Sequence, residues 1–139
     1  PPRLIDGDSG IFSYCSATVG NGYETRTWDH GDGHVSWLAL RGAPRVLFNV
    51  HLDTVPAGEG WSSDPHRLTV RAGRAYGRGA CDIKGAAAAL LSLAQDGAEN
   101  LALLFTSDEE GAEGGCVQQV IEAGRCTPFK QVVVAEPTG

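Results

Sequence analysis

The sequence predicts a three-layer α/β/α fold built on a mostly parallel sheet. Three apolar runs, Val46–Val50, Leu101–Thr106 and Val132–Ala135, have the near-continuous hydrophobicity typical of strands inside such a sheet. The segments between them carry helical patterns. Strands separated by helices pair in parallel through right-handed crossovers, so we expect these three strands to be mutually parallel in one sheet.

The clearest helix is predicted over Ile83–Gln95, where four consecutive alanines precede three leucines and Gly97 is placed to end it. A shorter helix is predicted over Val117–Ala123, ended by Gly124, and a fragment of helix over Ile11–Ala17. These segments are expected to form the outer layers of the fold.

The remaining strands are shorter or less apolar. A turn at Ala72-Gly73 predicts a hairpin, and alternating hydrophobicity predicts a strand immediately before the first apolar run. The predicted segments are Tyr23–Trp28, Val35–Arg41, Arg67–Val70 and Ala75–Gly77.

Composition limits the class of protein. A chain of 139 residues corresponds to one domain. The net charge of −6, with eleven basic residues that form no run, argues against a nucleic-acid partner. No apolar stretch approaches the roughly 20 residues of a membrane span, and residues 1–6 lack the apolar region of a signal peptide. We therefore expect neither a membrane nor a nucleic-acid partner.

The four cysteines contain no C-x-x-C pair. Their even count allows two disulfides, but a chain of this size and apolar content does not need them. Reduced thiols in a cytoplasmic protein are the favoured interpretation.

Metal-binding side chains follow the predicted strands at the points where they end. His51 and Asp53 follow the first apolar run, Glu109 and Glu110 the second, and Glu136 the third; in addition, Asp82 opens the alanine-rich helix. In parallel sheets the carboxyl ends of the strands line the ligand-binding edge. These residues are therefore expected to converge on one cleft.

One imidazole and several carboxylates are suitable ligands for two divalent cations. Asp53 either binds metal or orients His51 from behind, and Asp82 is placed to bridge two ions. Of the adjacent Glu109 and Glu110, one can bind metal while the other faces the bound water as general base. Each acid taken singly has an ordinary alternative, such as a helix N-cap for Asp82 or a solvated loop for the pair. The conjunction favours a metal site.

The motifs carrying these residues resemble those of the dinuclear-zinc aminoacylase and metallocarboxypeptidase family. Its signature H-x-D-T-V-P, W-x-x-D-P, G-R-G-x-x-D-x-K-G, an E-E pair and a late acid after a strand are all present. They occupy His51–Pro56, Trp61–Pro65, Gly77–Gly85, Glu109-Glu110 and Glu136. The amino-acid sequences of these loops look most like those of the branch of acetylornithine and acetylcitrulline deacetylases.

The resemblance implies a role for each residue. His51 and Glu136 would bind one zinc or cobalt ion and Glu110 the other, with Asp82 bridging. Asp53 would orient His51. Glu109 would take a proton from the bridging water and pass it to the leaving amine.

The resemblance also implies parts that the sequence does not contain. Members of the family use a further histidine from near the C-terminus and an inserted lid domain that mediates dimerisation. We therefore expect residues 1–139 to be the N-terminal part of a catalytic domain, inert or nearly so, binding one ion or none. The full-length protein is expected to be a homodimer that binds two ions per subunit.

The implied activity is removal of an acyl group from an N-acyl amino acid, N-acetylornithine or N-acetylcitrulline in arginine biosynthesis. A metallocarboxypeptidase, a dipeptidase and a succinyl-diaminopimelate desuccinylase are alternatives with the same chemistry. A non-catalytic domain that only binds metal or a partner is an alternative of another class.

Overall fold

The computed structural model describes residues 10–111 and 115–137. The predictions about residues 1–6 lie outside these ranges. The described part of the chain forms three helices and seven strands. In chain order they are α1 (Ile11–Val19), β1 (Glu24–Asp29), β2 (Val35–Arg41), β3 (Val46–His51), β4 (Thr69–Arg71), β5 (Arg74–Tyr76), α2 (Lys84–Gln95), β6 (Leu101–Thr106), α3 (Gly115–Glu122) and β7 (Gln131–Val134).

Five strands form one sheet in the order β1-β2-β6-β3-β7. Strand β3 pairs in parallel with both β6 and β7, so the predicted parallel arrangement of the three apolar runs is confirmed. Strand β2 is antiparallel to β1 and to β6. The sheet is consequently mixed, although four of its five strands run in the same direction and only β2 opposes them.

Helices cover both faces of this sheet, as a three-layer fold requires. On one face α1 and α2 pack against a core that includes Trp37, Val50 and Phe105. On the other face Val120 of α3 packs against Leu47 and its neighbours. All six residues of β6 are buried because this strand lies in the middle of the sheet, between two strands and two layers of helix.

Strand β7 differs from β6 although both are apolar. It forms the edge of the sheet, and Val132, Val133 and Val134 are 49%, 44% and 56% exposed. An apolar run therefore predicted the strand but not its burial.

The predicted hairpin consists of β4 and β5, which pair antiparallel around Ala72 and Gly73. Both turn residues have positive φ, 50° and 72°, as the twist of a two-residue hairpin loop favours. The hairpin stands apart from the main sheet, in the segment between His51 and Asp82.

Among the described residues, no helix is both long enough and apolar enough to cross a membrane. The four cysteines are free thiols.

Candidate metal centre

His51 lies at the carboxyl end of β3, beside Thr106 of β6, and is only 2% exposed. Its Nδ1 is 3.0 Å from the backbone carbonyl oxygen of Asp53. A carbonyl only accepts hydrogen bonds, so Nδ1 carries the proton and Nε2 faces the acids. Nε2 is 3.2 Å from Oδ1 of Asp82 and 3.6 Å from Oε1 of Glu136.

Asp53 holds two parts of the site together. Its carboxylate is buried and accepts hydrogen bonds from the backbone N–H of Glu109, at 3.0 Å, and of Glu110, at 2.9 Å. One carboxylate oxygen is also 3.5 Å from Nδ1 of His51. The same carboxylate therefore fixes the turn after β6 and lies behind the imidazole. The bonds to the two amides were not visible in the sequence, because they depend on β3 and β6 being neighbours.

Asp82 stands immediately before α2 on a polypeptide turn whose Asp82–Ile83 peptide bond is cis. Ile83, not Asp82, occupies the N-cap position of α2, and no side chain makes a capping hydrogen bond there. The side chain of Asp82 is 49% exposed and contacts His51 instead. Asp82 is therefore not the N-cap of α2, which was the ordinary alternative for this residue.

The other acids gather around the same imidazole. Ligand atoms of His51, Asp82 and Glu110 lie within 4.8 Å of one another, and so do those of His51, Glu109 and Glu136. All six residues singled out from the sequence thus come to one edge of the sheet. Each member of the Glu109-Glu110 pair joins a different group, as expected for adjacent side chains that diverge.

The electrostatics of the cluster favour a cation. Burial lowers the pKa of His51, but the neighbouring Asp53 and the charge of Glu136 outweigh it and raise that pKa to about 9. The pKa of Glu110 is raised by burial and by the carboxylate of Asp82. The hydrogen bonds to Asp53 keep the pKa of its carboxyl low despite burial. An imidazole nitrogen and carboxylates from four residues fit a pair of divalent cations, which would offset this crowding of negative charge.

The remaining motif residues support the loops that carry the acids. Arg78 donates to the carbonyl oxygens of Pro56 and Ala57 and stacks on the ring of Trp61 at 5.3 Å. Gly85 lies so close to the carbonyl oxygen of Ala80 that a Cβ atom would stand 2.5 Å from it. A glycine is therefore required beneath Asp82.

The fold and the cluster together define an α/β domain with a candidate dinuclear cation site at the carboxyl ends of its strands. The model of the peptidase family M20/M25/M40 matches residues 47–139. The chain belongs to this family, because the match covers more than half of its length.

The chain is also similar to curated relatives. The chain is 49% identical to N-acetyl-L-citrulline deacetylase of Xanthomonas campestris pv. campestris over 99% of its own length, but spans only 37% of that protein. It is 42% identical to succinyl-diaminopimelate desuccinylase of Aromatoleum aromaticum over 69% of its length, or 28% of that protein.

A solved structure agrees at the level of the fold. Human carnosine dipeptidase 1 superposes with a TM-score of 0.77 at 21% identity, covering 93% of this chain and 32% of that one. The predicted fold class is thereby confirmed.

Proposed function

We propose that the full-length protein is a metal-dependent hydrolase that removes the acyl group from an N-acyl amino acid. The convergence of Asp82, Glu109, Glu110 and Glu136 on the one buried imidazole of His51 carries this proposal. The chain spans about a third of the length of its curated relatives, so residues 1–139 would be the first part of the catalytic domain.

The donor set supports two zinc or cobalt ions. His51 and Glu136 would hold one ion, Glu110 would hold the other, and Asp82 would bridge them. The second ion would need a further ligand from outside residues 1–139, since Asp82 and Glu110 alone fall short of the four that zinc prefers. When bound, the pair would act as a Lewis acid on the water and on the amide carbonyl.

Glu109 is the candidate general base. Its side chain is exposed at the edge of the cluster, while its backbone N–H is held by Asp53. That arrangement fixes the main chain and leaves the carboxylate free to accept a proton from the attacking water and return it to the leaving nitrogen. Asp53 would orient His51 and the turn bearing both glutamates.

The proposed substrate is an N-acetylated amino acid. The 49% identity to an N-acetyl-L-citrulline deacetylase over almost the whole chain supports N-acetylcitrulline, with N-acetylornithine as the near alternative. The succinyl-diaminopimelate desuccinylases form a second candidate with the same reaction and a larger acyl group. The first assignment would place the enzyme in arginine biosynthesis, in the cytoplasm, as a homodimer assembled through a lid domain.

The test uses the full-length protein. Metal content is measured first, and hydrolysis of N-acetyl-L-citrulline, N-acetyl-L-ornithine and N-succinyl-diaminopimelate is then compared by kcat/KM. We expect two ions per chain at the centre around His51, and the largest kcat/KM with an acetylated amino acid. Metal binding without hydrolysis of any acyl amino acid would favour the non-catalytic alternative, whereas a preference for the succinyl substrate would favour the desuccinylase.

A further inference from the structure

A second cluster of metal-binding side chains lies under the start of α3. It consists of His34, Asp108 and Cys116, whose ligand atoms lie within 4.8 Å of one another. None of the three belongs to the groups around His51. We propose that these residues form a separate site for a zinc-like divalent cation.

The topology brings the three residues together from distant parts of the chain. His34 directly precedes β2 and Asp108 follows β6, and these strands are antiparallel with Ser36 opposite Thr106. The start of one strand therefore meets the end of the other. Cys116, the second residue of α3, is fully buried against the same strand end, and its thiol donates to the carbonyl oxygen of Val35 at 3.5 Å.

Asp108 provides the observation that points to a ligand. Its side chain is fully buried. Oδ2 already accepts hydrogen bonds from Nδ1 of His34 and from the backbone N–H of Gly115, both at 2.7 Å. Oδ1 is also buried but has no hydrogen-bond partner among the described residues. An unpaired buried carboxylate oxygen is costly, and a cation bound to Oδ1 would remove that cost.

The types of donor select the class of cation. Imidazole, thiolate and carboxylate together suit zinc, whereas magnesium and calcium prefer oxygen ligands alone. Bonds of about 2.0–2.3 Å around a tetrahedral zinc ion place its donor atoms roughly 3.3–3.8 Å apart. Donors already within 4.8 Å need to move by no more than about 1.5 Å to reach that geometry.

The competing explanation is a purely structural hydrogen-bond network. His34 would then only hold Asp108, which in turn accepts from Gly115 at the start of α3. The network needs a proton on Nδ1 of His34, whereas a cation bound through that nitrogen would replace the proton and its hydrogen bond to Asp108. Only the cation site needs the sulfur of Cys116 as a ligand, so the test detects whether this sulfur binds the ion.

The experiment titrates the metal-free full-length protein with Co²⁺, which gives a sulfur-to-cobalt charge-transfer band only when a thiolate binds the ion. We expect this band, and we expect Zn²⁺ to abolish it by competition. Cys116→Ser should remove the band and lower the stoichiometry by one ion per chain. Cys81→Ser is the matched control, because Cys81 is exposed and adjacent to Asp82, and the band should survive it.

Two further variants distinguish the loss of a metal ligand from misfolding of the protein. His34→Gln keeps an amide that can still donate to Asp108 but removes the imidazole, and it should weaken cobalt binding at this site at least tenfold. His51→Ala alters the other cluster and should leave the band in place. The proposal is overturned if no band forms, if Cys81→Ser rather than Cys116→Ser removes it, or if His34→Gln binds cobalt as tightly as the unmodified protein.

Discussion

The candidate metal centre has a buried floor and an exposed rim, and the two are built differently. The floor consists of His51 and Asp53, which are 2% and 3% exposed and bonded to the backbone around them. The rim consists of Asp82, Glu109, Glu110 and Glu136; the side chains of the first and last of these are 49% and 41% exposed.

The difference separates the tasks of positioning and binding. A buried side chain with several hydrogen bonds is fixed before any ligand arrives, and removing it leaves its partners unsatisfied. An exposed carboxylate makes few contacts and is free to bind a cation or a proton. Changes in the rim should therefore alter chemistry with little effect on folding, whereas changes in the floor should alter both.

The largest effect is expected within the rim, at the adjacent glutamates of the full-length enzyme. Glu109→Ala should lower kcat by about 10⁴-fold or more, because a general base contributes up to that factor and this one also returns the proton to the leaving nitrogen. Its metal content should stay nearly intact. Glu110→Ala should instead lose metal from one site.

Metal analysis and kinetics on both variants check this division of labour. Equal loss of metal in the two variants would contradict it. So would a Glu109→Ala enzyme that keeps more than a tenth of the normal kcat.

The second effect concerns the floor. Asp53→Ala removes the acceptor of two backbone N–H groups and should lower the free energy of unfolding by about 3 kcal/mol, since hydrogen bonds to charged groups contribute roughly 1.5–3 kcal/mol each. Chemical denaturation of the metal-free protein measures it. Glu59→Ala, an exposed acid in the loop after β3, is the control and should change stability by less than about 0.5 kcal/mol.

If Asp53→Ala unfolds at the same denaturant concentration as the control, the hydrogen bonds of Asp53 do not support the fold. The distinction between floor and rim would then fail at its central residue.

A third effect isolates metal binding at the rim. Asp82→Asn should leave the stability of the metal-free protein within about 0.5 kcal/mol, because the side chain is half exposed and repulsion from Glu110 offsets its attraction to the His51 imidazole. Zinc at a hundred times its Kd should stabilise the unmodified protein by about 2.7 kcal/mol, and the variant by much less at the same concentration. Thermal melts with and without zinc measure both. An undiminished zinc effect in the variant would exclude Asp82 as a ligand.

The sequence predicted the rim more completely than the floor. Each rim residue follows a strand or opens a helix, and the carboxyl ends of parallel strands must meet, so its position followed from local pattern and one topological rule. The amide bonds of Asp53 and the contact between His34 and Asp108 could not be predicted in this way. They join segments more than 50 residues apart, and they depend on which strands are neighbours.

The same limit applies to the fold. Hydrophobic pattern located the strands and helices to within a few residues, and the parallel pairing of β3 with β6 and β7 followed from the helices between them. The pattern did not reveal that β2 enters the sheet antiparallel beside β6, nor that β7 lies at the edge. Burial is set by the order of strands in space, which a single strand's sequence does not record.

The smallest effect tests whether the rim depends on the backbone beneath it. Gly85→Ala would place a Cβ 2.5 Å from the carbonyl oxygen of Ala80, so the turn carrying Asp82 must shift. Overpacking of this kind costs about 1–3 kcal/mol, partly offset by the better helix propensity of alanine. We expect a net loss of about 1 kcal/mol in the free energy of unfolding, together with weaker zinc binding.

Gly115→Ala is the matched control: it also lies in the first turn of a helix, and its Cβ would meet its nearest neighbours at an ordinary 3.6 Å. That variant should be neutral or slightly stabilising. Denaturation of both variants, and zinc titration of Gly85→Ala beside the unmodified protein, decide the matter. Equal stability of the two variants, with unchanged zinc affinity in Gly85→Ala, would mean that the position of Asp82 does not depend on this glycine.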